Sequence, residues 1–247
     1  KNTGHRCVSI VNAVGSAVAR ESDYVIYEGA GPEIAVATTK GYTTQVALLA
    51  VISVKLALEK GRIDGAAARK LCRALSRDVP DAISDIIARR GEIAELAKMI
   101  KDSEDIYFIG RGPDWPACSE CSLKLKEISY IHSEAYAAGE LKHGTLSLIE
   151  DGTPVIALAS DGGYYDKMCG NIREVRSRGG FVILVCGEDF DEPKKFSDAH
   201  FVLPKTERYF TPLATVVFSQ LLAYETALLR GCDVDHPRNL AKSVTVE

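Results

Sequence analysis

Short apolar runs rich in β-branched and aromatic residues recur along the chain, at residues 7–12, 24–27, 105–109, 154–159, 181–186 and 201–203. A run without polar alternation suits a strand buried on both faces, and such strands belong to parallel sheets covered by helices. Between them lie segments with helical periodicity, at 43–59, 65–73, 82–99, 116–131, 164–177 and 212–229. The alternation predicts an α/β chain.

The strands are unevenly spread. Only two precede the helix that starts near Thr43, whereas a doubly wound sheet has about five or six. Residues 60–102 carry helical patterns and no convincing strand, and the chain from about Glu104 onward has enough elements for a complete sheet. The expected organisation is an incomplete first α/β unit over 1–60, a helical connector over 61–103, a complete second unit over 104–232 and a tail over 233–247. The chain is expected to begin inside a domain whose first part lies upstream of Lys1.

With 30 basic and 34 acidic residues the net charge is −4, so no global basic field draws nucleic acid or an anionic membrane. The longest apolar stretch, 46–58, is interrupted by Ser53 and Lys55 and falls short of the ~20 residues of a bilayer span. Seven scattered cysteines do not suit a secreted disulfide framework, and the amino terminus lacks a signal-peptide pattern. A cytoplasmic location is expected, with no nucleic acid and no membrane as partner.

Several segments are candidates for chemistry. Gly110-Arg111-Gly112-Pro113 sits at a strand-to-helix turn, where backbone amides approach a phosphate or simply make a tight turn. Cys118 and Cys121 have CxxC spacing but no second pair, and inside an apolar helix they read as two buried thiols. Lys124 and Glu127 share a helical face. Spacing alone favours a solvated surface pair, while a carboxylate beside a cation is also what proton abstraction next to a carbonyl needs. The stretch 134–144 concentrates Glu, Lys and His between small residues, which marks a shaped loop. In it His143 is suited to proton transfer near neutral pH, whereas His132, at an apolar helix end, reads as structural. The tail from Asp233 has no period of its own. Composition predicts a frayed end, although Arg238 and Lys242, four apart, would serve a phosphorylated or carbonyl ligand if it were tied down.

Taken together, Glu33-Ile-Ala-Val-Ala-Thr-Thr-Lys-Gly-Tyr-Thr-Thr-Gln45, Gly110-Arg-Gly112, residues 123–144 and the tail 233–247, with its Pro-Arg-Asn-Leu-Ala-Lys-Ser-Val-Thr-Val-Glu ending, resemble the isomerase half of the glutamine–fructose-6-phosphate aminotransferase family. The resemblance implies two sugar-isomerase (SIS) domains, each a parallel sheet between helices in a flavodoxin-like three-layer arrangement, the first incomplete here at its amino-terminal side. It implies conversion of fructose 6-phosphate and ammonia to glucosamine 6-phosphate, without metal or organic cofactor, in a homodimer whose parent carries a glutaminase domain. It assigns Lys242 to the Schiff base at C2, Glu127 to proton transfer between C1 and C2, and His143 to ring opening from the other subunit. Lys124 becomes the helix neighbour of Glu127. Val36 and Thr38 line the sugar pocket, with Thr38 where a serine is common, and Arg238 and Ala241 belong to the closing tail.

Two family features have no counterpart in the sequence: the glutaminase domain and the Ser/Thr-rich loop that holds the sugar phosphate. The loop is expected shortly before Lys1, and without it the phosphate loses charge-assisted hydrogen bonds worth about 1.5–3 kcal/mol each. The competing readings are a fructosamine-phosphate deglycase or phosphosugar isomerase, and a non-catalytic sugar-phosphate-binding module.

Overall fold

A computed structural model describes residues 4–243. A two-stranded parallel sheet joins β1 (Val8–Val11) to β2 (Tyr24–Tyr27) through α1 (Ala17–Glu21), and leads into the long helix α2 (Lys40–Glu59). Three helices follow without an intervening strand: α3 (Gly65–Arg73), α4 (Val79–Ala88) and α5 (Arg90–Ile100). Then come β3 (Asp105–Gly110), α6 (Asp114–Ser129), β4 (His132–Ala137), β5 (Pro154–Ala159), α7 (Tyr165–Arg176), β6 (Phe181–Gly187), α8 (Pro193–Phe196), β7 (Ala199–Leu203) and α9 (Thr211–Leu229). These five strands form one all-parallel sheet in the order β4-β3-β5-β6-β7, the 2-1-3-4-5 order of flavodoxin-like sheets.

The period of two along each strand divides the core between the two faces of this sheet. Ile106, Phe108, Ile156, Leu158, Ile183 and Val185 point to the layer of α5, α6 and α9. Tyr107, Ile109, Val155, Ala157, Val182 and Leu184 point to α7 and to Leu141 and Leu146. Burial on both faces is why the strands read as unbroken apolar runs, and it makes the unit a three-layer α/β sandwich, as expected.

Four details correct the sequence reading. Residues 132–137, expected as a helix end followed by a functional loop, form β4. It is an edge strand, and its HSEAYA sequence carries no continuous apolar run because most of its side chains are only partly buried. The helix expected over 82–99 breaks at Arg89, whose guanidinium donates to the Val202 carbonyl at 2.8 Å and stacks 4.1 Å from the Phe201 ring centre, tying the bend to β7. Upstream, α3 runs through a π-helical turn, Ala74–Asp78, straight into α4. Finally, α2 and α9 are each long and apolar enough, by length and composition, to cross a membrane, with mean hydropathies of 1.5 and 1.3. The strict apolar run 46–58 understated α2, because its first turns are polar yet helical. Helix α9 passes the same test as a core helix packed inside the molecule.

Candidate active site

Helix α6 forms one wall of the site, and its amino end is fixed by close packing. A Cβ at Gly110 would lie 2.8 Å from the Asp114 backbone, and one at Gly112, whose φ is 55°, would lie 2.3 Å from the Tyr164 ring. Both glycines are thus accounted for by the turn itself. Asp114, buried in the first turn of α6, accepts the Ser160 amide at 2.8 Å and the Ser160 hydroxyl at 2.5 Å, clasping the end of β5. Burial pushes its carboxyl up to about 6, against the opposing hydrogen bonds from Ser160.

Further along, α6 presents Glu120, Lys124 and Glu127 on one face. The Lys124 side chain is only 5% exposed, with Nζ 2.6 Å from Glu127 Oε2 and 3.7 Å from Glu120 Oε1. The pair is therefore enclosed rather than the solvated contact that spacing alone favoured. Burial pushes the Glu120 carboxyl up, with Lys124 pulling the other way. The neighbouring thiols of Cys118 and Cys121 are buried, and burial pushes Cys121 up to about 12, which suits two inert thiols.

The facing wall is the segment 33–39 and the first turns of α2. Thr39, the cap residue of α2, offers no side-chain bond to the helix. Glu33 supplies the cap instead, accepting the Gly41 amide at 2.9 Å and the Thr39 amide at 3.2 Å. Val36, Thr38, Tyr42 and Gln45 face Glu120, Leu123, Lys124 and Glu127 across a cavity of about 270 Å³. A larger cleft of about 510 Å³, at the ends of β5, β6 and β7, holds none of the sequence-predicted residues. There Asp161 and Arg208 pair at 3.1 Å.

The tail, expected to fray by its composition, is tied to both walls. The Asp235 carbonyl accepts the Val36 amide at 3.0 Å. Tyr130, which ends α6 in the left-handed conformation at φ 62°, accepts the Arg238 amide on its hydroxyl at 2.8 Å. Its ring lies under the Arg238 guanidinium at 4.2 Å. Lys242 Nζ lies 3.2 Å from Glu33 Oε2 and 3.4 Å from Thr38 Oγ1, with Ala241 exposed beside it. Residues 244–247 of the predicted tail lie outside the described residues.

The fold thus gathers Val36, Thr38, Lys124 and Glu127 around one cavity and brings Lys242 to its Thr38 rim. Arg238 instead stacks on Tyr130. His143 closes the 3-10 turn Ala138–His143 outside that lining, 65% exposed and 4.0 Å from Glu140. His132, read as structural, sits 2.5 Å from Asp105 on the neighbouring strand. Glu33, Tyr42, Gln45 and Glu120 were not singled out from the sequence. The spacing of Glu120, four before Lys124, was a usable signal; for Glu33 no local pattern announces a cap eight residues from Gly41.

The SIS domain profile matches residues 1–55 and 99–230. A glutamine–fructose-6-phosphate aminotransferase (isomerizing) of Symbiobacterium thermophilum is 49% identical over all of this chain, which spans 40% of that relative's length. The C-terminal domain of glucosamine-fructose-6-phosphate aminotransferase from Francisella tularensis superposes with a TM-score of 0.89 at 35% identity, covering 93% of this chain and 65% of that one. A glucosamine-6-phosphate deaminase from Thermotoga maritima follows with a TM-score of 0.75 at 25% identity, over 97% of this chain and 67% of that one. With a profile match that takes in most of its residues, the chain belongs to the SIS domain family.

Proposed function

We propose that this chain is the isomerase portion of a glutamine–fructose-6-phosphate aminotransferase, a cytoplasmic homodimer. It would convert fructose 6-phosphate and ammonia to glucosamine 6-phosphate and water. Ammonia would come from glutamine through a glutaminase domain elsewhere in the polypeptide. On this reading residues 1–60 are the later part of a first SIS domain, 61–103 a connector, 104–232 the second SIS domain and 233–247 the tail that closes the sugar site.

Ketose-to-aldose amination needs a ring opener, an electron sink at C2 and one base that reaches both C1 and C2. His143 of a second copy opens the ring, and its exposure outside its own chain's cavity suits a residue that works across an interface. Lys242 forms the Schiff base with C2. Glu127 moves the proton from C1 to C2, with Lys124 fixing its position. Val36 and Thr38 line the sugar, and Arg238 and Ala241 belong to the lid.

The observation that carries the reading is the contact of Lys242 with Thr38, on the rim of the cavity that Lys124 and Glu127 line from residues over a hundred positions away in sequence. The test is borohydride reduction in the presence of fructose 6-phosphate, followed by peptide mass spectrometry. A stable adduct on Lys242, absent from Lys242→Ala, is expected, and its absence from the full-length polypeptide sinks the Schiff-base assignment. The likeness to a deaminase at 25% identity keeps a second reading, deamination or simple isomerisation of a phosphosugar. Net release of ammonia and ketose, rather than formation of the aldose amine, would favour it.

A further inference from the structure

The two lysines of the site each have their own carboxylate. Lys124 is bound to Glu127 at 2.6 Å on α6, while Lys242 lies 3.2 Å from Glu33 on the opposite wall. Glu33 is held from the start of α2, although it lies in a loop. Its carboxylate takes two backbone amides at the start of α2, and its side chain is only 15% exposed. A carboxylate fixed by a helix start on one side and presented to an amine on the other is anchored independently of the tail that brings the amine.

We propose that Glu33 is the fixed counterion of Lys242, holding its nitrogen at the sugar site while that nitrogen carries positive charge. The inference rests on the Schiff-base reading above and adds a residue to it. In forming the Schiff base, the ammonium first gives up one proton, the freed lone pair attacks C2, and the carbonyl oxygen collects that proton and a second one and leaves as water. That water takes two of the three hydrogens of the ammonium, and the nitrogen keeps one hydrogen and the positive charge. A cation therefore sits at this nitrogen before the proton leaves and again after water has departed, and a carboxylate that stays ionised keeps the nitrogen at the site at both ends of the step. Burial pushes the Glu33 carboxyl up, but the Gly41 amide, Lys242 and the Thr39 amide together outweigh it and leave it below its ordinary value. Glu33 is thus poorly suited to take up a proton and well suited to remain a counterion.

A purely structural reading has Glu33 as the cap of α2 and nothing more. Two variants separate these roles. Glu33→Gln keeps an acceptor oxygen for the Gly41 and Thr39 amides but loses the charge, and Glu33→Asp keeps the charge on a shorter arm. Both are made in the full-length polypeptide, with circular dichroism and thermal melting to establish that α2 is intact. For Glu33→Gln the expected result is a fall of roughly 10- to 100-fold in kcat and in the rate of borohydride-trapped adduct at Lys242, because the attacking nitrogen is no longer held in place at C2. KM for fructose 6-phosphate is expected to stay within about twofold, because Glu33 acts on the lysine rather than on the sugar. Glu33→Asp is expected to recover part of the loss. Equal trapping rates in Glu33→Gln and the unmodified protein overturn the inference, as does an equal loss in both folded variants, which would make the role one of shape. Failure of the unmodified protein to trap at Lys242 is a different result, since it removes the Schiff-base reading itself.

Discussion

Helices α2 and α9 are close to twins by composition and opposites by environment. They have 20 and 19 residues and mean hydropathies of 1.5 and 1.3, yet 61% of the apolar window is buried in α9 and 11% in α2. Helix α9 lies against α5 and α6 over the five-stranded sheet, with Val216, Phe218 and Leu222 in the core. Helix α2 leaves Leu49, Val51, Leu56 and Leu58 exposed. The strands repeat the contrast: all six residues of β5 are buried, against one of the four in β1. Apolar content sets how much surface a helix needs to bury. Whether it succeeds depends on a second layer, which among the described residues the sheet of five strands supplies to α9 and the sheet of two does not supply to α2.

The comparison is most sharply tested by truncating one large side chain in the covered region. Phe218→Ala is expected to cost about 3–5 kcal/mol in urea unfolding, because the side chain is fully enclosed and its removal leaves a cavity. A loss below about 1 kcal/mol would show that the α9 layer is loosely packed and would erase the contrast.

A second effect belongs to the same region. Asp114 has a folded-state carboxyl at about 6, above its ordinary 3.8. Between these values the folded chain binds more protons than the unfolded one, so this group's contribution to stability falls as pH rises from about 4 to 6. Asp114→Asn keeps the clasp on Ser160 without titrating. The stability of the unmodified chain relative to this variant is expected to drop by roughly 2–3 kcal/mol across that range. A difference that does not change with pH would place the shift elsewhere.

Smaller effects are expected at the tail and on α2. Tyr130→Phe removes the acceptor for the Arg238 amide while keeping the ring beneath the guanidinium, at a cost of about 1 kcal/mol. Hydrogen exchange at the Arg238 amide is expected to rise by roughly fivefold to tenfold, and unchanged protection would show that the stack alone holds the tail. Leu56→Ala, on the exposed face of α2, is expected to change stability by less than about 0.5 kcal/mol in this chain. A cost approaching that of Phe218→Ala would mean that something covers α2 in solution, and the contrast between the two helices would fail.

Much of the fold was legible in the sequence. The runs 105–109, 154–159, 181–186 and 201–203 became β3, β5, β6 and β7, because central parallel strands must be apolar on both faces. Edge strand β4 was not legible, since one flank lies open and polar residues are tolerated there. The break at Arg89 was also hidden: it depends on the Val202 carbonyl and the Phe201 ring, more than a hundred residues away. At the site, Lys124 and Glu127 were visible as a spaced pair, but not as an enclosed one. By its own composition the tail looked frayed; resemblance, rather than any local pattern, drew attention to Lys242.

By itself the sequence determined what was local and periodic: the α/β class, the parallel strands, and the ionisable groups on one face of α6. Tertiary structure alone decided that the lysine of the tail meets Glu33 and Thr38, that a turn of α6 ends in Tyr130 beneath Arg238, and that α9 is covered while α2 is not. Backbone period and side-chain polarity act over a few residues and can be read along the chain. Enclosure and ion pairing across some two hundred residues exist only once the layers have packed.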